Sequence, residues 1–346
     1  MSYLALMNMR SQTADLLKGI AVLLMMQVHI LELFASNAIS GSFYGKILLF
    51  LGGPPVAPVF MLILGYYIAA SKRPVKQLLI RGIKIFLLGM LLNLALNLNL
   101  IVSVSKGLFR IDLLPYIFGI DILQFAGISI LLLALVKKIL AKNIIITLVC
   151  IGAAAFLGHF LPAWIPGNRL SPYFSALFYG SSDWSYFPLF PWICYPLSGI
   201  AFYQLKQKVS LDFLNSVSIR ITVFILFVAF LLLTFHYALS VSSDLPAYYH
   251  HGLCFASWTI LFLAFYGSLI AELDRHFGES TLSGYLKWLG QHVTIIYVIQ
   301  WVIIGNVATE IYKTVSSPWY LLLWFLIVLL LSGGITYLIL RLKKDS

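Results

Sequence analysis

The chain of 346 residues is 61% hydrophobic and only 10% charged, against about 25% charged in a soluble domain. No soluble core could hide that much apolar surface, so a water-soluble globule is excluded and lipid must cover the chain. The formal charge of +11 does not indicate nucleic acid, because the basic residues sit in short clusters between apolar runs rather than in one patch or stripe.

A spanning helix takes about 20 mainly apolar residues. Ten such segments follow in chain order, near 13–35, 47–70, 78–102, 112–136, 143–161, 186–205, 217–240, 251–271, 285–310 and 318–341. The pattern predicts an all-α, polytopic transmembrane helical bundle of about ten spans, forming a single domain over 1–346. The first run is longer than the apolar core of a signal peptide and is read as a retained span. With a cytoplasmic N-terminus, eighteen of the Lys and Arg residues fall on the cytoplasmic side and five on the other, namely Lys46, Lys106, Arg110, Arg169 and Lys313. That split fits the positive-inside rule with both termini cytoplasmic, and it sets the basic loops against anionic membrane lipid. A bacterial inner membrane is the expected location.

The first segment carries "DLLKGIAVLLMMQVH". At 100° per residue, Asp15, Lys18 and His29 share one stripe of a helix, with His29 roughly 21 Å from Asp15 along the axis. Glu32 follows His29 at i+3 and is close enough around the helix to contact it. Lys18 and Asp15 have a plain reading as anchors of the helix end, with Lys18 snorkelling to the headgroups. His29 has one as an interhelical hydrogen-bond donor. Ionisable residues inside a membrane more often face a cavity and act there, and a neutral imidazole can take a proton from an acceptor hydroxyl or amine. Glu32 is then expected to orient the ring.

Further along, Asp121 lies nine residues beyond Asp112, which predicts a carboxyl roughly 13 Å into the fourth span. Asn93, Asn97 and Asn99 crowd the end of the third span, and Gln291, His292 and Gln300 mark the ninth. Each alone reads as interhelical glue; together they predict a wet interior. In "SKRPVKQLLIRGIKIF", Arg81 and Lys84 are i,i+3 neighbours able to grip phosphates, whereas Lys72, Arg73 and Lys76 read as ordinary flanking charge. The aromatic stretch 162–192 suits a sugar ring or an interfacial belt. Cys150, Cys194 and Cys254 lack CxxC spacing, and His250, His251 and Asp244 fall short of a zinc ligand set; no metal is expected.

These blocks resemble a known family. "TADLLKGIAVLLMMQVH" is similar to the first-helix signature of the membrane acyltransferases related to heparan-α-glucosaminide N-acetyltransferase, and "GGPPVAPVFMLILGYYIA" resembles its second-helix motif. "IRGIKIFLLGMLLNL", "FGIDILQFAGISILL", "FPLFPWICYPLSGI" and "LKWLGQHVTIIYVIQ" look like the later blocks, in the same order, over about residues 10–305. The resemblance implies transfer of an acyl group, usually acetyl from acetyl-CoA, to an extracytoplasmic glycan or small-molecule acceptor. It implies His29 as the catalytic histidine and Arg81 for the CoA; beside these, Asp15, Glu32 and Asp121 are candidate catalytic residues, and Lys84 and Lys18 candidate CoA contacts. Where the ninth-span block often ends in His, this chain has Gln300, which leaves His29 as the main candidate. Asn93 or Asn97 is a candidate oxyanion donor. The rival expectation is a proton-coupled transporter or flippase for a lipid-linked sugar or small anion, although paired Gly/Pro-broken helices in matching halves are missing.

Overall fold

The computed structural model describes residues 11–141, 143–161, 171–180, 184–210 and 216–345. Arg10, Lys142, Arg169 and much of the aromatic stretch lie outside the described residues. The described chain is helical, with three isolated β-bridges and no longer strand.

The main helices are α1 (Gln12–Phe34), α2 (Phe43–Gly52), α3 (Ala57–Ala70), α4 (Val75–Leu96), α5 (Leu98–Ser105), α6 (Ile122–Leu140), α7 (Ile144–Phe160), α8 (Cys194–Lys208), α9 (Val217–Ser242), α10 (Leu253–Phe277), α11 (Thr281–Gln291), α12 (Val293–Ile311) and α13 (Pro318–Asp345). Side-chain caps start several of them. Ser11 accepts from the Ala14 amide ahead of α1, Ser42 from Gly45 ahead of α2, and Asn143 from Ile145 ahead of α7. Each supplies an acceptor for an amide that the first turn leaves without a partner.

Eight segments are long and apolar enough to cross a membrane: α1, α2–α3 together, α4, α6, α9, α10, α12 and α13. The fifth and sixth expected spans are the shorter α7 and α8, of 17 and 15 residues. Only Phe227, Ala238, Leu239 and Ser242 of the 26-residue α9 are buried, so its apolar surface is built to meet lipid. This is an all-α polytopic bundle.

Two boundaries differ from the sequence expectation. The fourth span begins at Ile122 rather than near 112. Asp112 and Leu113 are non-helical, Leu114–Phe118 forms a single short helix, and Ile120 runs extended against Trp184–Phe187, accepting from the Tyr186 and Phe187 amides. Asp121 therefore caps α6 instead of lying nine residues inside it. The reason is a capping box: Asp121 Oδ1 accepts from the Ile122 amide at 2.6 Å, while Gln124 Oε1 accepts from the Asp121 amide at 3.3 Å. The ninth span divides at His292, where the backbone leaves the helical region between α11 and α12.

α1 sits at the centre of the bundle, packed against α2, α3, α10, α11, α12 and α13. Glycines set two of the closest helix contacts. A Cβ on Gly19 would overlap the Leu286 carbonyl, and one on Gly290 would overlap the Asp15 carbonyl, so α11 crosses α1 backbone to backbone. Gly65 of α3 and Gly199 of α8 meet the Pro196 and Leu62 carbonyls in the same way. Small residues permit such approach where lipid gives helices no hydrophobic reason to associate.

Candidate active site

His29 lies about one and a half turns before the end of α1, and it is half-buried. It stacks on the Trp301 indole of α12, with ring centroids 4.0 Å apart and 32° between the planes. Its Nδ1 is 3.2 Å from Gln300 Nε2, and the Tyr297 ring meets it edge-on at 6.5 Å. Tyr297, Gln300 and Trp301 stand at i, i+3 and i+4 on α12 and so present one face to α1. Gln300 is wholly buried and Tyr297 nearly so.

Tyr297 extends the site to α6, because its hydroxyl donates to Asp121 Oδ2 at 2.7 Å. Asp121 thus links the cap of α6 through Tyr297 to the ring stack on His29. Glu32, one turn beyond His29, is half-buried and lies within electrostatic range of both Asp121 and Lys313. Lys313 is brought there by backbone pairing: its amide donates to the Leu33 carbonyl, and Val315 donates to Phe34. The pairing holds Lys313 at a left-handed φ of 58°, a conformation costly for a residue with a Cβ. Tyr186 and Tyr249 stand within range of the same two carboxyls. His29, Glu32 and Asp121 therefore come together, as candidate residues of one site.

The remaining candidates lie elsewhere. Asp15 and Lys18 form an ion pair of 2.7 Å at the start of α1, fourteen residues and roughly 21 Å along the axis from His29. Beside them, Thr13 donates to Asp274 Oδ2 at 2.7 Å, and Lys287 pairs with Asp274 Oδ1 at 2.7 Å while also donating to Gln12 and the Gly278 carbonyl. This end of α1 is a polar clasp joining α1, α10 and α11. On α4 the buried stripe is Leu78, Gly82, Gly89, Leu92 and Asn93. Lys84 faces away from it, among exposed Ile80, Ile83 and Leu87, and Arg81 is exposed at its flank within electrostatic range of Arg73. Near that end of the bundle, a cavity of about 140 Å³ is lined by Ala69, Lys137, Tyr203, Gln204 and Lys208 among others; the Lys137 ammonium donates to the Ser71 carbonyl.

Two expectations are corrected. The hydrogen-bond partner of the His29 ring is Gln300, not Glu32, because α12 brings an amide directly onto Nδ1. Asn93 and Asn97 are not oxyanion donors. The Asn93 amide donates to the Ile117 and Gly119 carbonyls at 3.0 and 2.8 Å, and the Asn97 amide to the Asn93 and Tyr116 carbonyls at 2.9 and 3.2 Å. Both N–H groups of each are spent: three of the four fasten the 116–119 segment to α4, and the fourth returns to the Asn93 carbonyl within α4. Asn99 is likewise bound to Asn306. Among the described residues no cluster of His, Cys, Asp and Glu could hold a metal ion.

A lipid-facing helical bundle that gathers an imidazole, two carboxyls and a buried amide near the end of its central helix defines an integral membrane protein with a candidate acid–base centre. The sequence model of the heparan-alpha-glucosaminide N-acetyltransferase catalytic family matches residues 10–232, from the start of α1 into α9, and the chain belongs to that family. It is therefore an acetyltransferase-type membrane enzyme. No curated protein and no solved structure matches it.

Proposed function

We propose that this protein takes an acetyl group from acetyl-CoA on the cytoplasmic side and transfers it to a hydroxyl or amine of a glycan or other small acceptor on the extracytoplasmic side, with His29 as the general base. The observation that carries this reading is the half-buried His29 ring, stacked on Trp301 and held at Nδ1 only, beside Glu32 and Asp121. An imidazole with one nitrogen engaged and the other without a partner among the described residues can exchange a proton with substrate.

In the proposed reaction, His29 accepts the acceptor's proton as the acceptor oxygen or nitrogen attacks the thioester carbonyl. The carbon–sulfur bond then breaks, and the CoA thiolate leaves with that proton returned by the imidazolium. Glu32 and Asp121 hydrogen-bond the acceptor, with Tyr186 and Tyr249 offering aromatic faces beside them. Arg81 is the first candidate for the CoA phosphates. Lys84 faces outward and Lys18 is engaged by Asp15, so both are weaker candidates, and Asp15 serves the clasp.

The test is CoA release and label transfer from radiolabelled acetyl-CoA by the purified protein, its His29→Ala variant and its Arg81→Ala variant. The reading requires turnover by the wild type, loss in His29→Ala and a raised KM for acetyl-CoA in Arg81→Ala. No acetyl-CoA binding or turnover by the wild type would overturn it in favour of a transporter.

A further inference from the structure

The chemistry available to His29 depends on which of its nitrogens carries the proton, and one contact governs this. Gln300 Nε2 lies 3.2 Å from His29 Nδ1, Gln300 has no exposed surface, and its Oε1 has no hydrogen-bond partner. Trp301, the next residue of α12, stacks on the same ring at 4.0 Å. Two successive residues thus fix both the plane of the imidazole and the environment of one nitrogen. No other hydrogen bond to the ring exists among the described residues.

The oxygen and nitrogen of a carboxamide fill nearly the same volume, and a half-turn of the terminal torsion exchanges them. With the amide nitrogen on Nδ1, the amide donates to a bare Nδ1. The neutral ring then carries its proton on Nε2 and offers substrate no lone pair. After the half-turn, Nδ1–H donates to Oε1, the NH2 takes the oxygen's unpartnered place, and the ring Nε2 carries the lone pair. The exchange leaves the number of hydrogen bonds to the ring unchanged, so the ring's proton decides between the two arrangements. Only the second makes a base.

We propose that Gln300 is the positioning residue of His29: its Oε1 accepts from Nδ1–H, and this holds Nε2 unprotonated for the reacting atoms. A neutral amide does so without adding a third carboxyl to a site that already holds Glu32 and Asp121. The kinetic consequence rests on the acetyltransferase reading; the tautomer does not.

The experiment is ¹⁵N NMR of protein labelled in its histidine rings, with the His29 signals identified by their loss in His29→Gln, combined with steady-state kinetics. The wild type should show a protonated, pyrrole-type Nδ1 and a bare Nε2. Gln300→Leu should shift the proton toward Nε2 and lower kcat by about tenfold to a hundredfold, within the range of general-base effects, while the KM for acetyl-CoA stays within about twofold. Gln300→Glu separates this role from packing, because a carboxylate of nearly the same shape can only accept; it should keep the proton on Nδ1 and retain most of kcat. Because that variant tests the acceptor role by itself, the test stands even if Gln300→Leu does not fold. A proton on Nε2 in the wild type, or a Gln300→Leu variant with an unchanged tautomer, would overturn the proposal. If the wild type proves inactive with acetyl-CoA, the NMR result still decides the tautomer.

Discussion

His29 and His251 are both histidines packed against a tryptophan inside the bundle, yet their surroundings differ in one respect that separates structure from chemistry. His251 is almost wholly buried against Trp192 and Phe255. Its Nδ1 is 2.7 Å from the Tyr248 carbonyl, which can only accept, so Nδ1 must be the protonated nitrogen; its Nε2 then accepts from the Tyr195 hydroxyl, also at 2.7 Å. Both nitrogens are used, and one tautomer is imposed by the backbone. Among the described residues His29 has a single hydrogen-bond partner, an amide that can donate or accept, and it is only half-buried. A saturated imidazole joins elements together, here Ile193-adjacent α8 to the segment ahead of α10. An unsaturated one keeps a site for a proton.

The contrast yields predictions in order of size. His29→Ala should lower acetyl transfer by about 10²–10⁴-fold with little loss of thermal stability, as read by CoA release and the unfolding temperature in detergent. His251→Leu should do the reverse. It orphans the Tyr195 hydroxyl and the Tyr248 carbonyl, each at about 1–3 kcal/mol, so the unfolding temperature should fall while the folded fraction keeps its kcat. A His251→Leu variant of wild-type stability would break the comparison. Gly65→Ala tests the close packing of α3 on α8: its methyl would meet the Pro196 backbone, and overpacking of that kind costs about 1–3 kcal/mol.

Smaller effects should come from the links around His29. Tyr297→Phe removes the donor to Asp121 and should cost about 0.5–1.5 kcal/mol of stability, measurable by denaturant unfolding, with a modest change in kcat. On α4, Arg81→Ala should raise the KM for acetyl-CoA, whereas Lys84→Ala, on the outward face, should leave it unchanged. Equal effects from the two would mean that helix-face geometry does not govern donor binding.

Much of this molecule can be read from its residues. The apolar runs predict the helices because lipid demands long, internally hydrogen-bonded segments, and an imidazole in the first of them points to the candidate site. The misreadings have local physical causes. Asp121 looked deep in a helix only because the short Leu114–Phe118 turn is as apolar as a span, yet Asp121 and Gln124 already spelled a capping box. Tyr297, Gln300 and Trp301 were legible as one face of a helix, but that this face lies on His29, about 270 positions earlier, is a fact of packing that no spacing reveals. The asparagines of α4 were legible as polar and not as spent, since their carbonyl partners belong to backbone that a sequence does not position. His251 and Tyr195 are 56 residues apart, and their pairing is equally invisible in one dimension.

The most direct test of the account is acetyl transfer from radiolabelled acetyl-CoA by folded His29→Ala protein, measured beside the wild type and His251→Leu. The account predicts turnover in the wild type and in the folded fraction of His251→Leu, and none above background in His29→Ala. Transfer by His29→Ala at the wild-type rate would contradict it.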